Sequence, residues 1–156
     1  MIRVDIPGRG VLEMRYLALD LNGTLSVDGG LIEGVCERID VLRERVEILI
    51  ITADTHGKAQ ELAAILKVKM HKISAGDERT QKLKLVQQLG AENTVSIGNG
   101  ANDVSMLKAA GLGICVLGNE GTSAEAMAAC DVVAPDINAA LDLLIKPNRL
   151  IATLRK

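Results

Sequence analysis

Apolar residues in this chain follow two rhythms that take turns. Residues 2–6 alternate apolar and polar, Ile-Arg-Val-Asp-Ile, which predicts a strand. Pro7-Gly8-Arg9-Gly10 then reads as a turn, and the run from Val11 into Leu21 as a return strand that continues into the central one. Residues 26–32 carry Asp28-Gly29-Gly30, a hairpin signal. Val35, Ile39 and Leu42 recur at helical spacing and predict a helix over 33–45, and 46–51 is a continuous apolar run that closes on Thr52-Ala53-Asp54.

The alternation then repeats. Helices are predicted over 57–67, 78–89 (ended by Gly90), 102–110, near 124–129, and over 137–145 and 148–154. Strands are predicted over 68–73, 94–97, 113–117 and 132–133. Strands and helices in turn imply an α/β fold: a mostly parallel, Rossmann-like sheet with helices on both faces. Ligands of such sheets bind outside the C-terminal ends of the strands. Asp20, Thr52 and the segment 98–103 all fall at predicted strand ends.

The 156 residues suit one domain, with residues 1–14 as an N-terminal strand and turn extension. Hydrophobic residues make up 48% of the chain, Phe and Trp are absent, and Tyr16 is the lone aromatic. The core is therefore expected to be aliphatic, and no platform exists for stacking nucleic-acid bases. A formal net charge of −2 argues against nucleic acid or an anionic membrane held by bulk charge. Cys36, Cys115 and Cys130 lack metal-ligand spacing and read as buried free thiols. Neither a signal-peptide core nor an 18-residue apolar run is present, so the expected location is the cytoplasm.

Candidate chemistry centres on Leu17-Ala-Leu-Asp20-Leu-Asn22-Gly23-Thr24, a buried-strand pattern ending on one carboxylate. A carboxylate among exposed backbone N–H groups can attack phosphorus or hold a metal, although an acidic residue before glycine is also ordinary turn chemistry. Thr52 reads either as a ligand-facing hydroxyl or as an N-cap or β-branched filler. Lys82 has Lys84 beside it, and both are compatible with solvated helix charges. Asp103 reads also as a helix N-terminal charge, Asp54 and Asp28 as mouth or turn residues, and His56 and His71 as surface groups.

Four segments in order, Asp20-Leu-Asn22-Gly23-Thr24, Thr52 after an apolar run, Lys82, and Gly98-Asn99-Gly100-Ala101-Asn102-Asp103, resemble the haloacid dehalogenase superfamily. Its members include phosphatases and the phosphorylation domains of P-type ATPases. The Gly-x-Gly-x-Asn-Asp string is very like the P-type ATPase version of that motif, and the Ile6-Pro7-Gly8 segment and the Thr52-Ala53-Asp54-Thr55 string look like a small group of stand-alone, soluble P-type ATPase-like proteins. The resemblance implies a three-layer domain without a cap, because 20–52 and 52–82 leave no room for one. It implies Asp20 as nucleophile, and Leu21, Asn22, Thr52, Ala53, Lys82 and Asn102 around the phosphate. Asn102 is expected to fix its loop or Lys82. Mg²⁺ would be held by Asp20, Asn22, Asn99 and Asp103.

Two amides stand where many relatives carry acids. Asn22 cannot shuttle a proton, and Asn99 is a weaker metal ligand than aspartate. The resemblance therefore implies slow hydrolysis or phosphotransfer through an aspartyl-phosphate. It leaves two other readings open: a catalytically silent phosphate- or metal-binding regulator, and a sugar-phosphate phosphatase completed by oligomerisation, as in the octulosonate phosphate phosphatases. The expected partners are a small phosphorylated substrate and further copies of the chain, with the Leu31–Ile32 hairpin edge as the contact.

Overall fold

In the central strand, Leu17 and Leu19 point to one side of the sheet and Ala18 to the other, and this alternation builds the layers. The computed structural model describes residues 1–54 and 57–156, so the surface position expected for His56 lies outside the described residues. The strand holding Leu17, β3 (Tyr16–Asp20), sits inside a six-stranded sheet. With β6 (Glu47–Thr52), β7 (Lys69–Lys72), β8 (Thr94–Gly98), β9 (Leu112–Val116) and β10 (Val132–Ala134), the order is β10-β9-β8-β3-β6-β7. All five pairings are parallel.

Leu17, Leu19, Ile50 and Ile97 pack against α1 (Val35–Arg43), α2 (Lys58–Leu66) and α6 (Ile137–Ile145). On the opposite face, Ala18 and Ile51 meet Leu85 and Val86 of α3 (Glu78–Leu89) and Met106 of α4 (Val104–Ala109). Cys115 extends that face against Val104 and Leu107 of α4 and Ala126 of α5 (Ala124–Ala129). Helices on both faces of a mostly parallel sheet make the three-layer Rossmann-like arrangement expected from the sequence. The α4 side is kept close by glycine: a Cβ on Gly113 would stand 2.2 Å from the Leu107 carbonyl oxygen. Any side chain there would lift α4 from the sheet.

A small antiparallel sheet, β1 (Ile2–Ile6) with β2 (Gly10–Met14), adds Ile2, Val4 and Ile6 to the first core. The last helix, α7 (Pro147–Leu154), packs on β1. The single strand expected from Val11 into Leu21 is instead two strands in two sheets. Arg15 is the joint: its N–H donates to the Asn93 carbonyl and its carbonyl accepts from the Glu47 N–H. The chain thereby leaves β2 and enters the slot between β6 and β8.

The expected hairpin forms as β4 (Ser26–Val27) and β5 (Gly30–Leu31). Its turn has positive φ at both central residues, 51° at Asp28 and 80° at Gly29. That double demand favours Asp-Gly and gives Asp28 its turn role. Between Asp20 and Thr52 the chain is spent on this hairpin, α1 and β6, and no cap is inserted. The helix expected over 102–110 opens as a 3₁₀ turn, Ala101–Asp103, before α4. The expectation of three buried thiols holds only for Cys115; Cys36 and Cys130 are half-buried, because each lies at a margin of the core.

Candidate active site

The parallel strands β3, β6 and β8 end on the same edge at Asp20, Thr52 and Gly98. The α3 helix brings Lys82 to that edge with only 1% of its surface exposed. Lys82 Nζ donates to Asp20 Oδ1 and to Asp103 Oδ1, each at 2.7 Å. An ammonium is tolerated at such depth when carboxylates replace its water. Lys84, two residues along the helix, is exposed.

The second oxygen of each acid is also used. Asp20 Oδ2 accepts from Thr24 Oγ1 at 3.1 Å, and Asn99 Oδ1 lies 3.2 Å from the same hydroxyl. Asp103 Oδ2 accepts the N–H groups of Asn99 and Gly100, both at 3.0 Å. Gly98 allows this approach, since a Cβ there would lie 2.5 Å from the Asp103 carboxyl carbon. Asn99 is held from its other end, with Nδ2 donating to the Gly121 carbonyl at 3.0 Å.

Charge and burial act on each other here. Burial first, then the charge of Asp103, pushes the Asp20 carboxyl up to about 6 against the opposing pull of Lys82 and Thr24. Burial alone would lower Lys82, but Asp20 and Asp103 outweigh it and hold the ammonium above its ordinary range. Two acids and one ammonium leave one buried negative charge.

A cleft of about 450 Å³ opens over this group, lined by Asp20, Asn22, Thr52, Ala53, Asp54, Glu78, Lys82, Asn99, Gly100 and Asn102. Thr52 is buried; its Oγ1 accepts the Asp54 N–H at 3.1 Å, which leaves the hydroxyl proton available. Asp54 lines the mouth and accepts the Ala59 N–H at 2.8 Å, at the start of α2.

Not every expected residue arrives as expected. The Leu21 side chain is buried in the apolar core, and its carbonyl accepts the N–H groups of Thr24, Leu25 and Ser26. Any contact of Leu21 with a phosphate is thus left to its backbone N–H. Asn102 does not reach Lys82, because its Nδ2 donates to Glu78 Oε2 at 2.7 Å. Asp28 and His71 do not line the cleft. Glu78 does line it without having been singled out in the sequence. The signal was its place four residues before Lys82, on the same helix face.

All the oxygens facing one another here, carboxylates and amide carbonyls, are hard donors of the kind that suit Mg²⁺. The surplus negative charge fits a divalent cation as well. Asp20, Asp103 and Asn99 are already within hydrogen-bond reach of shared partners.

The family model for haloacid dehalogenase-like hydrolase matches residues 31–140. An uncharacterized protein of Methanocaldococcus jannaschii is 46% identical over 92 residues, which cover 56% of this chain and 99% of that protein. A soluble P-type ATPase-like phosphatase of the same organism is 29% identical over 126 residues, 79% of this chain and 46% of that protein. Among solved structures, 3-deoxy-D-manno-octulosonate 8-phosphate phosphatase of Moraxella catarrhalis superposes with a TM-score of 0.69 at 21% identity. The match covers 91% of this chain and 94% of that one, and that structure holds a magnesium ion, a phosphate ion and KDO.

Proposed function

The chain belongs to the haloacid dehalogenase-like hydrolases, and we propose that it is a capless, Mg²⁺-dependent phosphohydrolase acting through an aspartyl-phosphate on Asp20. The observation that carries this reading is the Asp20 carboxylate on the cleft, 2.7 Å from a buried Lys82 with Thr52 beside it on the same strand-end edge.

Asp20 attacks phosphorus, and the bond to the leaving oxygen breaks with its electron pair. Lys82 offsets negative charge as carboxylate and phosphoryl group approach. Thr52 donates its hydroxyl to a phosphoryl oxygen, and the N–H groups of Leu21, Asn22 and Ala53 offer further donors. Asp20, the Asn22 carbonyl, Asn99 and Asp103 would hold Mg²⁺, which would supply positive charge against the phosphoryl oxygens. Asn102 fixes the loop through Glu78. Transfer to Asp20 needs no proton when the leaving group is good, whereas the amide of Asn22 slows every step that does need one.

The cleft volume suits a small organic phosphate. Its amides and carboxylates favour a hydroxylated leaving group over an aromatic one. With no cap, a second copy of the chain shields the mouth, and the half-buried Leu31 and Ile32 offer the contact. Light scattering that finds a monomer at every concentration would remove that part of the reading. Reduced thiols and the absence of a membrane-crossing helix among the described residues suit a cytoplasmic setting.

The amides Asn22 and Asn99 favour a second reading, a silent phosphate-binding regulator. Phosphate release from p-nitrophenyl phosphate with Mg²⁺ separates the two. Slow turnover that disappears in Asp20→Asn supports the enzyme, and equal background rates in both proteins support the regulator.

A further inference from the structure

Hydrolysis of an aspartyl-phosphate requires a group to take a proton from the attacking water, and Asn22 cannot. Among the described residues, the candidates on or beneath the cleft are few. Lys82 is a protonated donor to two carboxylates. Asp103 is fully buried, with one oxygen on Lys82 and the other on two backbone N–H groups. Asp54 is engaged with the first turn of α2.

Glu78 differs from all three. It lines the cleft half-buried; Oε2 accepts from Asn102 Nδ2 at 2.7 Å, and Oε1 accepts from nothing among the described residues. We infer that Glu78 is the base that takes the proton from the water that cleaves the Asp20 acyl phosphate, an inference that rests on Asp20 being the phosphate acceptor.

Placement argues for it. Glu78 precedes Lys82 by four residues, so both project from one face of α3, with Glu78 about 6 Å nearer the helix N-terminus. Lys82 is almost wholly covered while Glu78 is not, so that end of α3 lies towards solvent. In an in-line displacement, water reaches phosphorus from the side away from Asp20. A base for that water must stand further out than Lys82, and Glu78 does.

The carboxylate is also aimed. Asn102 holds Oε2, and the loop bearing Asn102 is pinned to α3, with Arg79 Nε donating to the Ala101 carbonyl at 3.0 Å. A base needs one free oxygen held in a fixed direction, and this pairing leaves Oε1 as that oxygen. In the step, the water oxygen bonds to phosphorus and the bond from phosphorus to Asp20 oxygen breaks. The electron pair returns to the Asp20 carboxylate, and the water proton passes to Glu78 Oε1 and then to solvent.

The test is a chase. Protein is labelled with acetyl phosphate and Mg²⁺, the donor is removed, and the adduct is followed by intact mass after acid quench. Glu78→Gln keeps a carbonyl that can accept from Asn102, so the clasp survives while the base is lost. The expected result is an adduct that still forms and decays about 10²-fold or more slowly. Asn102→Ala, which keeps the carboxylate and loses only its clasp, should slow decay less. Wild-type decay in Glu78→Gln, or decay slowed more in Asn102→Ala than in Glu78→Gln, would overturn the role assigned to Glu78. Absence of any adduct in the wild type would instead overturn Asp20 as acceptor, and the inference would fall with it.

Discussion

Lys82 Nζ stands 2.7 Å from Asp20 Oδ1, joining residues 62 positions apart in sequence. The contact does more than pair two charges. Because Lys82 also serves Asp103, one ammonium is shared by two buried acids, and the site keeps a net negative charge before any ligand arrives. A phosphoryl group would add more. That imbalance is the physical case for a divalent cation at this edge.

Replacing Lys82 with Met should expose how much the ammonium holds together. Two buried acids would face each other without a cation, and breaking a buried pair costs about 3–5 kcal/mol. The loss should be larger at pH 8 than at pH 5, where Asp20 can take a proton and relieve the repulsion. Urea unfolding of Lys82→Met and wild type at both pH values measures it. Equal losses at the two values would contradict the shared-cation account.

The raised Asp20 carboxyl predicts a proton linkage in the wild type. Its value near 6 lies above the ordinary 3.8, so the folded state holds this proton more tightly than the unfolded one. The stabilisation is therefore complete below about pH 4 and lost as pH rises through about 6. Mg²⁺ needs the carboxylate, so its binding should release a proton below pH 6 and weaken about tenfold per unit of further acidification. Calorimetric titrations at pH 5 in buffers of different ionisation enthalpy should give different apparent heats, and at pH 8 the same heat.

Asn99→Asp should tighten Mg²⁺ by about 10-fold or more. A further unit charge beside a cation is worth several kcal/mol at an effective dielectric near 20, before desolvation. The metal-free variant should also be less stable than wild type, since the hydrogen bond that Asn99 Nδ2 donates to the Gly121 carbonyl is lost and a third acid joins the cluster. Unchanged Mg²⁺ affinity by calorimetry would remove Asn99 from the ligand set.

Much of this architecture was legible in the chain, and the reasons are local. The run Leu17-Ala-Leu ends on Asp20 because a central parallel strand is apolar on both faces up to its edge. Lys82 could be preferred to Lys84 because Val86 and Leu89 follow it at helical spacing, which marks the buried side of α3. The break at Arg15 was not legible, since it depends on hydrogen bonds to Asn93 and Glu47. The Glu78–Asn102 pairing was hidden for the same reason: the two half-buried side chains become a clasp only when α3 and the 98–103 loop meet. Asp103 gave no sign that it would be fully covered, because its burial follows from Gly98 and from the two N–H groups that hold it.

Asn22→Asp places a titratable carboxyl where the wild type has an amide lining the cleft. Hydrolysis should rise by about 10-fold or more, within the range of general acid–base groups. The gain should be larger for glycerol phosphate than for p-nitrophenyl phosphate, because an alkoxide needs protonation on departure and a nitrophenolate does not. Equal gains would mean that the new carboxyl is not donating to the leaving group.

The central claim, that Asp20 accepts the phosphoryl group, is tested most directly by the intact mass of protein quenched in acid after incubation with acetyl phosphate and Mg²⁺. The expected result is an increase equal to one phosphoryl group in the wild type, mapped to the peptide containing Asp20 and absent from Asp20→Asn. An unmodified wild-type mass with Mg²⁺ bound and the fold intact, or an adduct that persists in Asp20→Asn, would contradict it.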